Sequence, residues 1–242
     1  MDILFDIVIP VGPNDSKVIN NMIEHTKKNI IGYRNIYLVS FDPNIVFKDC
    51  VTIDENIFPF NKESIVKIIG ITNRLGWYLQ QLIKLYSPFV IDGLLNNYLV
   101  IDSDTYFLKP TSFFSNKFPL YNPGSEFNIP YFEHMIKLHP SLTRQTNYSG
   151  ISHHMMFQKN ILLELFKLIE DYHKTEFWKA FLLCINKKDI NGSGSSEYEI
   201  YFHYLHLNYK NLFIVRPLHW ENTNNLNFRN DLDYISYHWY IR

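Results

Sequence analysis

Two carboxylates one residue apart, Asp102 and Asp104, follow directly on the apolar run Tyr98-Leu99-Val100-Ile101. Such a run reads as a buried strand, and side chains two apart on an extended chain share a side, so the acids are expected to converge. Convergent carboxylates at the carboxyl edge of a parallel sheet suit a hard divalent cation, which can bridge the phosphates of a nucleotide. That much negative charge beside an apolar strand is costly unless a cation compensates it. A solvated turn after a strand would carry the same spacing. Two other groups of reactive side chains stand out. His153 and His154 are neighbours, and on a strand neighbours take opposite faces, so at most one can reach a site. Ser196-Glu197-Tyr198-Glu199 has the S-x-x-E spacing of a helix capping box, which gives Glu199 a structural task and leaves Glu197 without one.

These side chains need a frame, and the sequence supplies an alternating one. Phe5 to Val11 is a β-branched apolar strand ended by the turn Gly12-Pro13-Asn14-Asp15. Asp15 or Ser16 can cap a helix whose apolar stripe is Val18, Ile19, Met22 and Ile23. Asn35 to Phe41 forms the next strand, stopped by Asp42-Pro43. Strand, helix and strand in that order imply a parallel βαβ unit. A short strand near Val51 precedes a helical stretch from Lys62 to Tyr86, broken near Asn73 to Gly76. Its stripe of Leu75, Leu79, Leu82, Ile83 and Tyr86 leaves Arg74, Trp77, Gln81 and Lys84 on other faces. Residues 113–130 read as surface loops. Beyond them the pattern gives a strand from His153 to Phe157, helices over 161–172, 176–185 and 197–208, a strand at Phe213 to Val215, and a last strand from Tyr234 to Ile241. Gly192 to Ser196 and Asn222 to Asn230 are the segments expected to be mobile.

Composition excludes several classes. The chain has 242 residues, 46% hydrophobic and 19% charged, which fits a folded α/β domain and not a disordered one. With 23 Lys+Arg against 24 Asp+Glu its net charge is −1, so neutralising a nucleic-acid backbone is not expected to be its task. Cys50 and Cys184 lie far apart without metal-ligand spacing and read as reduced thiols. The acidic start Met1 to Asp6 does not look like a secretory signal, and no apolar run spans a bilayer. A soluble, cytoplasmic protein is the expectation, in the host cytoplasm for a chain of viral origin.

The segment Tyr98 to Leu108 resembles the DxD region of GT-A glycosyltransferases, and Phe5 to Val11 looks like the first nucleotide-binding strand of that fold. Gly76-Trp77-Tyr78-Leu79-Gln80-Gln81, His153 to Phe157 and Ser196 to Glu199 together resemble the DUF6492 branch found in bacteria and large viruses. The resemblance implies a GT-A-like, Rossmann-like three-layer α/β sandwich with a mostly parallel central sheet. It makes 1–242 one domain, with a nucleotide-binding half over about 1–108 and an acceptor-side half over about 109–242. The implied activity is metal-dependent transfer of a sugar from a nucleoside-diphosphate donor, a UDP-sugar first of all, to a hydroxyl on a glycan, lipid or protein. Asp102, Asp104 and a histidine near the C-terminus, His238, would hold Mn²⁺ or Mg²⁺, with His219 as the runner-up ligand. Pro10, Val11 and Asp42 would line the base or ribose. Arg74 and Gln81 would face the diphosphate or donor sugar, Ser103 would lie beside the donor, and His154 would contact a sugar hydroxyl. Glu197 and Glu199 are the candidate acid/base residues, Glu197 first; the helix-start glutamate leans towards inversion and the C-terminal histidine towards retention. Tyr106, Phe113, Phe114, Tyr121 and Tyr131 could stack on acceptor sugars. Two other readings stay open. One is a catalytically silent nucleotide-sugar-binding domain. The other is a metal-dependent phosphohydrolase of the haloacid-dehalogenase type, whose motif wants Thr or Val at Tyr106.

Overall fold

The computed structural model of the chain describes residues 3–15 and 17–238. Strand β1 (Phe5–Val11) is buried along its whole length. Ile7 and Val8 face opposite sides of the sheet and neither is exposed, so layers cover both faces, the setting of an α/β sandwich. Helix α1 (Ile19–Asn29) leads to β2 (Tyr33–Ser40), parallel to β1, and β2 leads to β3 (Val51–Asp54), parallel to β2. Helices α2 (Lys62–Ile69) and α3 (Leu75–Val90) return the chain to β4 (Asn97–Ile101), which pairs parallel to β1 on its other side. After β5 (Thr105–Phe107) and α4 (Ile129–Leu138), β6 (His154–Gln158) adds antiparallel to β4. The order β6-β4-β1-β2-β3 is the mostly parallel α/β sheet expected from the sequence.

Helices α5 (Lys159–His173), α6 (Phe177–Leu183) and α7 (Glu197–Asn208) follow, and β7 (Trp220–Asn222) and β8 (Tyr234–Ser236) join β5 in a second small sheet. There β8 runs antiparallel to β5, and the amide of Tyr237 donates to the Asp104 carbonyl at 2.8 Å. The C-terminal segment is thereby tied to the end of β4.

Several expectations are corrected. The break in the long helical stretch covers 70–74: it opens at Gly70, whose φ of +81° ends α2 as few other residues could, and takes in Asn73 and Arg74 as expected, whereas Leu75 and Gly76 already belong to α3. The segment 113–130 is not all loop: it holds short strands at Phe114–Ser115 and Phe118–Tyr121 and the start of α4. Asp15 does not cap α1, because its carboxylate accepts from Ser103 Oγ at 2.7 Å; Ser16, the other candidate cap, lies outside the described residues. So do Trp239, Tyr240 and Ile241 of the last expected strand.

Helix α7 packs against the loop before β6 at a point with no room for a side chain. A Cβ on Gly150 would lie 2.5 Å from Phe202 Cβ and 2.9 Å from the Tyr198 carbonyl oxygen. Gly150→Ala must therefore push α7 away, at a cost of about 1–3 kcal/mol or more. A melting temperature within about 1 °C of the parent, where the expected loss is several degrees, would overturn this close packing.

Candidate functional site

A cleft of about 550 Å³ opens at the carboxyl ends of β1, β2 and β4, where side chains leaving a parallel sheet can converge on a ligand. Pro10, Val11, Arg74, Trp77 and Tyr131 line it. Lys84, Asp102, Asp104, His153, Glu197 and His238 line it as well.

The floor is an ion network. Lys84 Nζ lies 2.6 Å from both Asp102 Oδ1 and Glu197 Oε1, and it sits over the Tyr198 ring at 4.3 Å from the centroid. Tyr198 donates its hydroxyl to the same Asp102 oxygen at 2.9 Å. The Lys84 and Glu197 side chains are 4% and 5% exposed, so charge here must be balanced inside the protein. Burial pushes the Asp102 carboxyl up, but Lys84 and His153 outweigh it and hold it well below the usual carboxylate range. For Glu197 burial wins over Lys84, and its carboxyl is raised. Burial opposes the Lys84 charge, yet Asp102 and Glu197 more than restore it and hold the ammonium above its ordinary value.

The rim carries the second aspartate. Strand β4 ends at Ile101, and residues 102–104 turn, with the Thr105 amide donating to the Asp102 carbonyl at 3.0 Å. Strand alternation therefore does not govern the pair: both carboxylates line the cleft, Asp102 engaging Lys84 and Tyr198 while Asp104 Oδ2 meets His238 Nδ1 at 3.0 Å. Among the described residues no three His, Cys, Asp or Glu side chains are gathered closely enough to enclose an ion. Burial works against a charge on His238, but Asp104 outweighs it and raises the imidazole above 6.5. A raised folded value contributes stability below the unfolded value near 6.5 and loses it as pH climbs through the folded one. In the metal-free protein His238→Asn should therefore destabilise more at pH 6 than at pH 9, read from urea midpoints; an equal deficit at both would remove the ion pair.

The other expected site residues divide sharply. Pro10, Val11 and Arg74 line the cleft. Ser103 lines it too, though its hydroxyl is given to Asp15. Gln81, on α3, is buried and not among the cleft's lining residues: its Oε1 accepts from Ser195 Oγ at 3.1 Å and from the Glu197 amide at 3.2 Å, fixing the start of α7. Asp42 is not at the cleft, because its carboxylate accepts from Asn44 in a local turn. His219 is exposed and tied through its backbone to Asp233.

Of the two adjacent histidines the assignment is reversed. His154, on β6, packs among Phe107, Phe113 and Tyr234, and burial lowers its imidazole to about 3, so it is a neutral core residue. His153 faces the cleft instead. Glu199 also leaves the candidate list. Only the serine half of the capping box forms, with Ser196 Oγ accepting from the Glu199 amide. The Glu199 carboxylate accepts from Ser149 Oγ at 2.6 Å and the Gly150 amide at 3.1 Å, away from the cleft. Tyr106, Phe113 and Tyr121 are core, whereas Tyr131 reaches the cleft.

The Gly192 to Ser196 turn, expected to be mobile, is pinned: Arg74 Nε donates to the Gly192 carbonyl, Asn128 Nδ2 to the Ser193 carbonyl, and Ser195 Oγ to Gln81. Lys84 and Tyr198 are cleft residues that sequence reasoning did not assign a role. Lys84 carried one usable signal, a lysine flanked by Leu82, Ile83 and Leu85 on a helix.

The model of a family of unknown function, DUF6492, matches residues 38–239. No curated protein matches. Among solved structures, the crystal structure of mouse xyloside xylosyltransferase 1 in its apo form is similar with a TM-score of 0.48 at 8% identity, over 97% of either chain. Among the described residues no helix is long and apolar enough to cross a membrane.

Proposed function

The chain belongs to the DUF6492 family, a family of unknown function, and we propose from its cleft that it transfers a sugar from a nucleoside-diphosphate donor to a hydroxyl acceptor. One observation carries this reading: the cleft at the sheet's carboxyl edge has six carboxylates, from Asp15, Glu55, Asp102, Asp104, Glu126 and Glu197, against Lys62, Arg74 and Lys84 and the two imidazoles of His153 and His238. A diphosphate would be repelled from such a cleft unless a cation came with it. Asp104 and His238, a hard oxygen and an imidazole nitrogen already face to face, suit Mn²⁺ or Mg²⁺, with Asp102 alongside. When bound, that cation supplies the positive charge that stabilises a departing diphosphate.

The chain's own residues have distinct tasks in this reading. Pro10 and Val11 receive the base or ribose of the donor, a UDP-sugar being the first to try. Arg74 faces the phosphates. Lys84 holds Asp102 and Glu197 still and keeps their charge compensated, so neither has to reorganise during the reaction. Glu197, at the start of α7 with its carboxyl raised by burial, takes the acceptor proton in an inverting transfer. Tyr131 and Trp77 border the space left for the acceptor.

The test is calorimetric titration with UDP, GDP and CDP, each with and without Mn²⁺, on the parent and on Asp104→Asn. Metal-dependent binding of one diphosphate, lost in the variant at an unchanged melting temperature, is the expected result. If none of the three binds, the donor site is wrong and the cleft needs another ligand. If one binds but no sugar is passed on, the chain is a nucleotide-sugar-binding domain. Release of phosphate through a covalent aspartyl-phosphate at Asp102 would make it a phosphohydrolase.

A further inference from the structure

The turn at 102–104 is held from three directions. The Asp102 amide donates to the His153 carbonyl at 2.9 Å, and the Tyr237 amide donates to the Asp104 carbonyl at 2.8 Å. Between them Ser103 Oγ donates to Asp15 Oδ2 at 2.7 Å. The first two are backbone bonds that almost any residue could make. The third needs a hydroxyl at 103 and an acceptor at 15, and it crosses from the turn after β4 to the turn after β1.

Asp15 closes that second turn. Pro13–Asp15 is a short helical turn, in which the Asp15 amide donates to the Gly12 carbonyl at 3.1 Å and the Asp15 carbonyl accepts from the Val18 amide at 3.0 Å. Residues 10–15 and 102–104 all line the cleft, so the bond joins two of its walls. Asp15 and Ser103 are 9% and 2% exposed, and a sheltered hydroxyl bonded to a carboxylate is roughly twice as strong as a neutral pair. What the bond fixes is the distance from the wall assigned to the base or ribose to the turn that carries Asp102 and Asp104. A donor that touches both walls binds as two linked pieces, and the gain from linkage exists only while the walls keep the separation that the ligand spans.

We propose that Asp15, acting through Ser103, is a positioning residue that sets this separation and so matches the cleft to the length of a nucleoside diphosphate. This rests on the donor reading given above and adds to it the side chains that gauge the donor.

The test is calorimetric titration of the full chain with UDP and Mn²⁺, beside saturation-transfer magnetic resonance with uridine alone; the matching pair is used if the parent selects another base. Parent, Asp15→Ala, Ser103→Ala, the double variant and Asp15→Asn are compared, each checked by circular dichroism at the titration temperature. UDP should bind about tenfold more weakly to each alanine variant and no more weakly to the double one, because a single bond is lost in all three. Uridine, which meets one wall only, should bind all of them within about twofold of the parent. Asp15→Asn keeps an acceptor for Ser103 and should restore UDP affinity to within about threefold. Where an alanine variant does not fold, Ser103→Cys, a longer and weaker donor in the same place, should show the same split between UDP and uridine.

Additive losses in the double variant would overturn the proposal, since the two residues would then act separately. Equal losses for uridine and UDP would reduce the bond to ordering one wall. Asp15→Asn as weak as Asp15→Ala would assign the effect to charge and not to the bond. No binding of any diphosphate by the parent would overturn the donor reading itself.

Discussion

Replacing Lys84 by methionine should cost the protein about 3–5 kcal/mol, a large share of the roughly 5–15 kcal/mol that keeps a domain folded. The reason is the company the ammonium keeps. It stands 2.6 Å from one oxygen of Asp102 and one of Glu197, and its side chain is 4% exposed. Methionine fills the same space but takes away the ammonium that Asp102 and Glu197 share. The pH dependence gives the signature. In the parent, Asp102 is held below its usual range, so its contribution is present above the unfolded value near 3.9 and is lost as pH falls through the lower folded one. Without Lys84, burial at Glu197 loses its main opponent and only His153 is left to oppose burial at Asp102, so both folded values move up. The penalty of the variant therefore grows as pH climbs through the carboxylate range, and it shrinks as pH falls below about 4. Urea unfolding of parent and Lys84→Met at pH 7 and pH 4 measures the difference. Adding Glu197→Gln to the variant should return part of the loss at pH 7, because one of the two uncompensated charges is gone. A small deficit, equal at both pH values, would mean that the network is not what holds the cleft floor.

Why Lys84 escapes a reading of the sequence is a matter of distance along the chain. Its partner Glu197 is 113 residues away, and no local pattern announces a contact of that range. What could be read was what local physics decides. β1 and β4 declare themselves because a strand buried on both faces must be apolar throughout, and the acids at the end of β4 follow from where that run stops. The carboxyl-edge position of Asp102 and Asp104 was legible for the same reason. Their separate partners were not, since these depend on a turn at 102–104 and on the segment after β8, which reaches Asp104 from far along the chain.

The misread residues follow the same rule. Glu199 satisfies the capping-box spacing, yet Ser149 and Gly150, some 50 residues upstream, claim its carboxylate. His153 and His154 could be known to face apart, but which one faced the cleft turned on a positive φ that neighbouring residue types do not encode. Helix α4 was hidden by Pro130, which reads as a breaker and is in fact compatible with the first turn, where its missing N–H costs nothing.

The two glutamates of α7 permit a test in which stability and chemistry separate. Glu197→Gln keeps the shape and an acceptor for Lys84 but removes the basic oxygen. Turnover should fall by about 10²–10⁴, the usual worth of a general base, with donor binding largely kept. The start of the helix is held by Gln81 accepting from the Glu197 amide, a contact the variant does not touch. Glu199→Gln should do the reverse. Its amide offers one acceptor where Ser149 Oγ–H and the Gly150 N–H need two, so a buried donor loses its partner at a cost of about 1–3 kcal/mol. For a chain of this size that lowers the melting point by about 2–4 °C per kcal/mol, while turnover well below the melting point stays near the parent's. Calorimetric melting beside single-turnover assays on both variants decides between the roles. Lost turnover at an unchanged melting temperature in Glu199→Gln, with Glu197→Gln active, would exchange the assignments. Full activity in both would move the proton to another acceptor in the cleft and leave Glu197 as a partner for Lys84 alone.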